Sequence, residues 1–209
     1  MLEKMRERWT KASEPLVHSM GDLNPNLLTW ASLVFALAAF FLLARADLDS
    51  RGAMAIVGGV GLGLIAGFLD ALDGALARHQ GVDGPYGDFL DHTIDRVVDV
   101  GLLVALGMNA AFVDEFSSGL LAGLLTLFGS YMGTQAQSVG LDRIYGGFSR
   151  TDRGVLTVFG LLAAAWQAQV GGTGIDVSEI HEQAHWLLLG NGELNGMTFA
   201  LAISAWGGV

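Results

Sequence analysis

The sequence predicts an all-α, polytopic membrane bundle, and three observations carry that reading. Hydrophobic residues make up 52% of the 209 residues and charged residues only 15%, where a soluble domain carries about a quarter charged. Long apolar runs alternate with short polar ones instead of mixing evenly. Thirty glycines suit helices that approach closely in lipid, where small residues let backbones meet.

The apolar runs predict six transmembrane helices, at roughly 26–44, 53–78, 88–113, 118–140, 154–170 and 194–209. About 20 apolar residues cross a hydrocarbon core. The second and third runs exceed that, so their polar ends, adjacent in sequence, project into water. The sixth is short. Ahead of them, residues 2–20 set Leu2, Met5, Trp9, Leu16 and Val17 among Lys4, Arg6, Arg8 and Lys11, the pattern of an interfacial amphipathic helix. The first twenty residues lack an apolar core and a small-residue cleavage site, so no cleavable leader is expected. The chain is expected to be one membrane domain over 1–209, with 1–20 juxtamembrane and 26–209 the bundle; 171–193 stays open between helix and loop.

Basic residues orient the bundle. Lys4, Arg6, Arg8, Lys11, Arg78, Arg143, Arg150 and Arg153 fall on one side if the spans alternate, against Arg45 and Arg51 on the other. A multi-pass protein of the cytoplasmic membrane follows, with the N-terminus and the second and fourth connections cytoplasmic. Without cysteine there is neither a disulfide nor a thiolate metal site. A net charge of −10 argues against nucleic acid as a partner.

The polar ends of the second and third spans carry the chemistry. Asp70 and Asp73 are three apart, so they share a helix face, and Asp91 and Asp95, four apart, share another. A short connection makes the two helices antiparallel neighbours, and their faces can meet. Carboxylates packed together cannot all stay ionised without compensation. Hard divalent cations relieve this, and Mg²⁺ is held by a few carboxylates plus substrate phosphates. Two ions about 3.5–4 Å apart would clamp the attacking and leaving oxygens of a phosphoryl displacement. Gly74 leaves room for a substrate against the backbone, and Arg78 meets a phosphate as a fork of donors. Asp88 is expected to cap the third helix. His92 lies a helical step off the Asp91–Asp95 face. Asp99, a turn deeper than Asp95, needs a partner, either as a hydrogen-bonder behind the site or as part of an acceptor pocket. Between spans four and five, Arg143, Arg150 and Arg153 at a helix entrance form an anion site, which would give the acceptor a phosphate.

Asp70, Asp73, Gly74, Ala77, Arg78, Gly87, Asp91 and Asp95 together spell Asp-x2-Asp-Gly-x2-Ala-Arg-x8-Gly-x3-Asp-x3-Asp. This resembles the signature of the CDP-alcohol phosphotransferase family. Pro25, Asn26 and Thr29 resemble the start of that family's first helix. The resemblance implies a metal-dependent enzyme of phospholipid biosynthesis using Mg²⁺ or Mn²⁺. Asp70, Asp73, Asp91 and Asp95 would hold metal. The CDP-linked lipid (CDP-diacylglycerol or CDP-archaeol) would lie on Gly74, Ala77, Arg78 and Gly87. Asp95 would be the general base that takes a proton from the acceptor hydroxyl as CMP leaves. The fourth span, Ser130-Tyr131-Met132-Gly133-Thr134-Gln135-Ala136-Gln137, resembles the branch making phosphatidyl- or archaetidylinositol phosphate at Tyr131 and Ala136. Gly133 and Gln135 stand where that branch has basic residues, and Gln137 where it has an acid. Inositol phosphate and glycerol phosphate both remain as polyol phosphate acceptors, beside a non-phosphorylated alcohol. A homodimer through Gly58, Gly59, Gly61, Gly63 and Gly67 fits helix packing and the family.

Three other classes fit the sequence less well. A membrane prenyltransferase also binds Mg²⁺-diphosphate, but its aspartate motifs lie far apart in a longer bundle. A cation transporter places carboxylates near the bilayer midplane and within repeats, whereas these sit at one face. A non-catalytic scaffold does not need Asp95.

Overall fold

The computed structural model describes residues 13–141, 150–179 and 192–207. Residues 13–19 are helical (α1). There follow α2 (Pro25–Ala44), α3 (Ser50–Gln80), α4 (Pro85–Gly107), α5 (Phe116–Ser138), α6 (Arg150–Val170) and α7 (Gly196–Trp206). A two-stranded antiparallel ribbon, β1 (Ile175–Asp176) with β2 (Glu193–Leu194), precedes α7.

Helices stand at all six expected places, but only three of the described helices are both long and apolar enough to cross a membrane. These are α2, α3 and α5, with mean hydropathies of 2.3, 2.0 and 1.2. α4 and α6 have the length, at 23 and 21 residues. However, α4 carries Asp88, Asp91, Asp95, Arg96 and Asp99, and α6 opens on Arg150, Asp152 and Arg153. α7 has only 11 residues, too few to cross at about 1.5 Å per residue.

The N-terminal expectation is only partly within view, since Leu2, Lys4, Met5, Arg6, Arg8, Trp9 and Lys11 lie outside the described residues. Val17, at 2% exposure, packs with Leu28, Leu72, Ala75 and Leu76. Residues 13–20 are thus seated on α2 and α3 through Val17. Gln80 Nε2 fastens the turn after it, donating to the Gly21 and Leu23 carbonyls, each at 2.9 Å.

α2 begins at Pro25 because Asn24 caps it, its side chain accepting from Asn26 N at 3.0 Å, and proline at the first position has no N–H to satisfy. One face buries Thr29, Ser32, Ala36, Ala39 and Leu43, while Trp30, Val34, Leu37 and Phe41 stand exposed at helical spacing. Small residues inside and large apolar ones outside suit a helix whose outer solvent is lipid. α3 starts at Ser50, ahead of the expected position 53, because Asp49 caps it by accepting from Gly52 N at 2.7 Å. It ends where Gly81 takes a φ of +67°, with Gly81 and Val82 N–H groups closing back on the Arg78 and Ala77 carbonyls.

The third span was expected to run to 113, but the helix stops at Gly107. Asn109 is the cause. Its buried amide donates to the Leu43 and Ala46 carbonyls at 2.7 and 2.9 Å, and its Oδ1 accepts from Ala111 and Phe112 N–H. The side chain satisfies backbone groups from two segments at once, which a continuing helix would leave unpaired.

A second correction concerns the neighbours. α3 and α4 do not pack along their lengths; α2 packs on both, α4 on α5, and α6 on α3 and α7. The connection of residues 81–84 brings α3 and α4 together only at their joined ends, so the space between them opens as a cleft. Of the glycines expected to receive a second copy, Gly59 is used inside the chain, where a Cβ would meet Leu43 Cγ at 2.9 Å. Gly61, Gly63 and Gly67 face open space.

Gly196, at the start of α7, lies on α6 so closely that a Cβ would stand 2.2 Å from the Gly160 carbonyl oxygen and 2.4 Å from Ala164 N. Both are backbone atoms, which cannot swing aside. Gly196→Ala is expected to destabilise by about 3 kcal/mol, read as a lowered thermal midpoint in detergent.

Candidate active site

The last turns of α3 and the first of α4 face each other across that cleft. Oxygen atoms of half-buried Asp70, buried Asp73 and half-buried Asp91 all lie within 4.8 Å of one another. Asp95, at 8% exposure, is one turn further along α4, and its carboxylate, that of Asp91 and the His92 ring form a second group within 4.8 Å. The four expected aspartates are thus brought together, with Asp91 shared by the two groups. His92 comes nearer than its helical position implied. Its Nδ1 is 3.9 Å from Asp91 Oδ2, although the side chain is 71% exposed and also faces Asp88 at 3.7 Å.

A cleft of about 810 Å³ runs beside the first group, lined by Asn26, Thr29, Asp73, Gly74, Arg78 and Asp91, with Ala77 and Gly87 in its walls. The glycines have local reasons to be there. A Cβ on Gly74 would meet the Arg78 guanidinium at 3.2 Å, so the arginine folds over bare backbone at the cleft wall. A Cβ on Gly87 would stand 3.9 Å from Asn26 Oδ1, narrowing the gap between α2 and α4.

Thr29 takes a part that its sequence position alone did not announce. Its buried hydroxyl donates to Asp73 Oδ2 at 2.5 Å, across from α2 to α3. One Asp73 oxygen is thereby oriented by a neighbour that is itself 3% exposed. Asp88 does not cap α4, contrary to expectation. Gly84 holds that position without a side-chain bond, and Asp88 sits in the first turn with its N–H on the Gly84 carbonyl at 3.2 Å. Asp99 faces Arg96, a residue that the spacing argument passed over, as an ion pair: Nη2 is 3.1 Å from Asp99 Oδ2.

The three acceptor arginines stand differently. Arg143 lies outside the described residues, and Arg150 begins α6 with no side chain described. Arg153 Nη1 donates to the Gly207 carbonyl at 2.8 Å, tying α6 to the end of α7. Among the described residues lining the cleft, Arg153 does not appear.

Residues 22–177 match the family model described as CDP-alcohol phosphatidyltransferase. The chain belongs to that family. As a CDP-alcohol phosphatidyltransferase family member it is a transferase, with a membrane enzyme's apolar helices. An archaetidylinositol phosphate synthase from Methanothermobacter thermautotrophicus is 34% identical over 123 residues, which are 59% of this chain and 62% of that protein. A phosphatidylinositol phosphate synthase from Cutibacterium acnes is 28% identical over 162 residues, 73% of each chain. An uncharacterized protein from Aquifex aeolicus is 32% identical over 78% of this chain and 81% of its own. The same fold is seen in the phosphatidylinositol phosphate synthase of Mycobacterium tuberculosis. Its crystal structure with CDP-DAG bound superposes with a TM-score of 0.63 at 21% identity, over 77% of this chain and 84% of that one. Its structure in complex with manganese and citrate superposes with a TM-score of 0.63 at 20% identity.

The donor set suits a divalent cation of the hard class. Asp70, Asp73 and Asp91 offer carboxylate oxygens only, the ligands preferred by Mg²⁺ and Mn²⁺ over softer metals. The imidazole of His92 is the one nitrogen donor in the second group.

Proposed function

We propose that this enzyme transfers a lipid phosphate group from a CDP-linked lipid to the hydroxyl of a polyol phosphate, releasing CMP. The observation that carries this reading is the convergence of Asp70, Asp73 and Asp91 within 4.8 Å beside a cleft holding Gly74 and Arg78. Asp70, Asp73, Asp91 and Asp95 hold divalent metal, Mg²⁺ or Mn²⁺, which when bound neutralises the diphosphate of the donor. Gly74, Ala77 and Gly87 give the nucleotide bare or small surface, and Arg78 offers paired donors to a phosphate. Asp95 takes the proton of the acceptor hydroxyl; the acceptor oxygen bonds to the lipid-bearing phosphorus, and the bond from that phosphorus to CMP breaks. Arg143, Arg150 and Arg153 receive the acceptor's phosphate. The whole chain acts as one membrane domain of six spans in the cytoplasmic membrane, as a homodimer, with the aspartates on the cytoplasmic face.

Inositol phosphate is the acceptor that the named relatives favour. Glycerol phosphate is the second reading, because Gly133 and Gln135 replace basic residues of the branch that this chain resembles. The test is CMP release by purified protein with Mg²⁺ and a CDP-linked lipid, across inositol phosphate, glycerol phosphate, inositol, glycerol and serine. Release is expected with a phosphorylated polyol, and the responding one names the product. Release only with a non-phosphorylated alcohol would discard the arginine pocket and keep the aspartate chemistry. Consumption of a prenyl diphosphate in place of CDP-lipid would overturn the reading.

A further inference from the structure

Behind the Asp95 carboxylate lies a guanidinium that the reaction written above does not use. Arg96 directs Nη2 to Asp99 Oδ2 at 3.1 Å and to Asp95 Oδ2 at 3.6 Å, and its Nη1 donates to Ser130 Oγ on α5. The groups are sheltered, with side-chain exposures of 30% for Arg96, 11% for Asp95 and 18% for Asp99. A cation in such surroundings is retained only with partners.

Both carboxylates on α4 face the same guanidinium nitrogen. Asp99 Oδ2 and Asp95 Oδ2 both stand within ion-pair reach of Nη2. Asp95 and Asp99 together answer the guanidinium's charge, and the bond to Ser130 Oγ sets its direction. A guanidinium is suited to this because its planar fork presents donors in two directions, one nitrogen toward α4 and the other toward α5, where an ammonium is a single point. Ser130 lies on α5, so the link ties Asp95 to the helix that also carries Gly133 and Gln135.

We propose that Arg96 is a positioning residue for Asp95: bridged to Asp99 and anchored on Ser130, it holds the base's carboxylate toward the acceptor hydroxyl. This rests on the reading of Asp95 as the general base. Arg96→Gln, Arg96→Lys, Ser130→Ala and the Arg96→Lys/Ser130→Ala double variant would be compared with wild type in one steady-state assay of CMP release, with CDP-lipid affinity and thermal midpoint measured in parallel. Misdirection of a catalytic group by about 1 Å costs about 100-fold, so Arg96→Gln is expected to lower kcat by about that factor at unchanged CDP-lipid affinity. Arg96→Lys should retain more activity than Arg96→Gln. Ser130→Ala, which removes one hydrogen bond and is the variant surest to fold, should lower kcat about 5-fold. Adding Ser130→Ala to Arg96→Lys should change kcat by less than about twofold, because the serine acts through the arginine. Unchanged kcat in Ser130→Ala and the arginine variants beside an active wild type would overturn the inference alone. So would losses that track CDP-lipid affinity or the thermal midpoint. A wild type silent with every acceptor would overturn the transfer reading and this inference with it.

Discussion

Asp95→Asn is expected to keep the CDP-linked lipid bound and to lose turnover by about 10²–10⁴-fold, the range a general base supplies. The substitution is close to isosteric, and Asp95 is buried at 8% exposure on the α4 face that also presents Asp91. An amide therefore fills the same space and leaves the helix packed. It cannot take a proton from an alcohol. The donor side of the cleft is built from Asp73, Gly74 and Arg78, and none of them depends on the Asp95 charge for its place in the chain. The measurement is paired: CDP-lipid binding by calorimetry with Mn²⁺ present, and CMP release under saturating acceptor. Binding kept with turnover lost supports the base. If turnover persists near the wild-type rate, Asp95 is not the base. Loss of both in proportion would make it chiefly a metal ligand.

Much of this site was legible because helical spacing is rigid. Asp70 with Asp73, and Asp91 with Asp95, had to share faces, and the short connection had to bring those faces to the same end of the bundle. What spacing cannot reveal is which helix lies between two others. α2 packs on both α3 and α4, so the expected antiparallel pair is splayed and a cleft replaces an interface. The same limit hid Thr29, whose partner Asp73 is 44 positions away, and Ser130, which meets Arg96 across helices. Arg96 could have been found: an arginine between two aspartates at helical spacing, within a helix whose other half is apolar, needs its charge answered nearby. The end of α4 was not legible from hydropathy, because the residues after Gly107 are as apolar as those before. The turn is made by one amide, that of Asn109, reaching the Leu43 and Ala46 carbonyls. Asp88 misled for a related reason. Any acid near a helix start resembles a cap, but Pro85 sets the first turn and leaves the cap position to Gly84.

Asp91→Asn is expected to weaken divalent metal more than any other single aspartate substitution in the site. Asp91 is the one residue common to both groups, Asp70–Asp73–Asp91 and Asp91–His92–Asp95. Replacing it by an amide leaves each group a carboxylate short. Asp70→Asn, in contrast, touches the first group alone. Disturbing a partner outside the ligand sphere weakens metal about 10–100-fold, and loss of a carboxylate common to both groups should exceed that range. The check is Mn²⁺ titration of purified Asp91→Asn, Asp70→Asn and wild-type protein by electron paramagnetic resonance, with CMP release followed across the same titration. Asp91→Asn should require the highest Mn²⁺ for half-occupancy and should be inactive at concentrations that saturate the wild type. Occupancy equal to wild type in Asp91→Asn would mean that the carboxylates converge without sharing a cation, and the metal-dependent reading would lose its geometric basis. An effect in Asp70→Asn as large as in Asp91→Asn would instead place the metal within the first group alone, leaving Asp95 to work purely as a base.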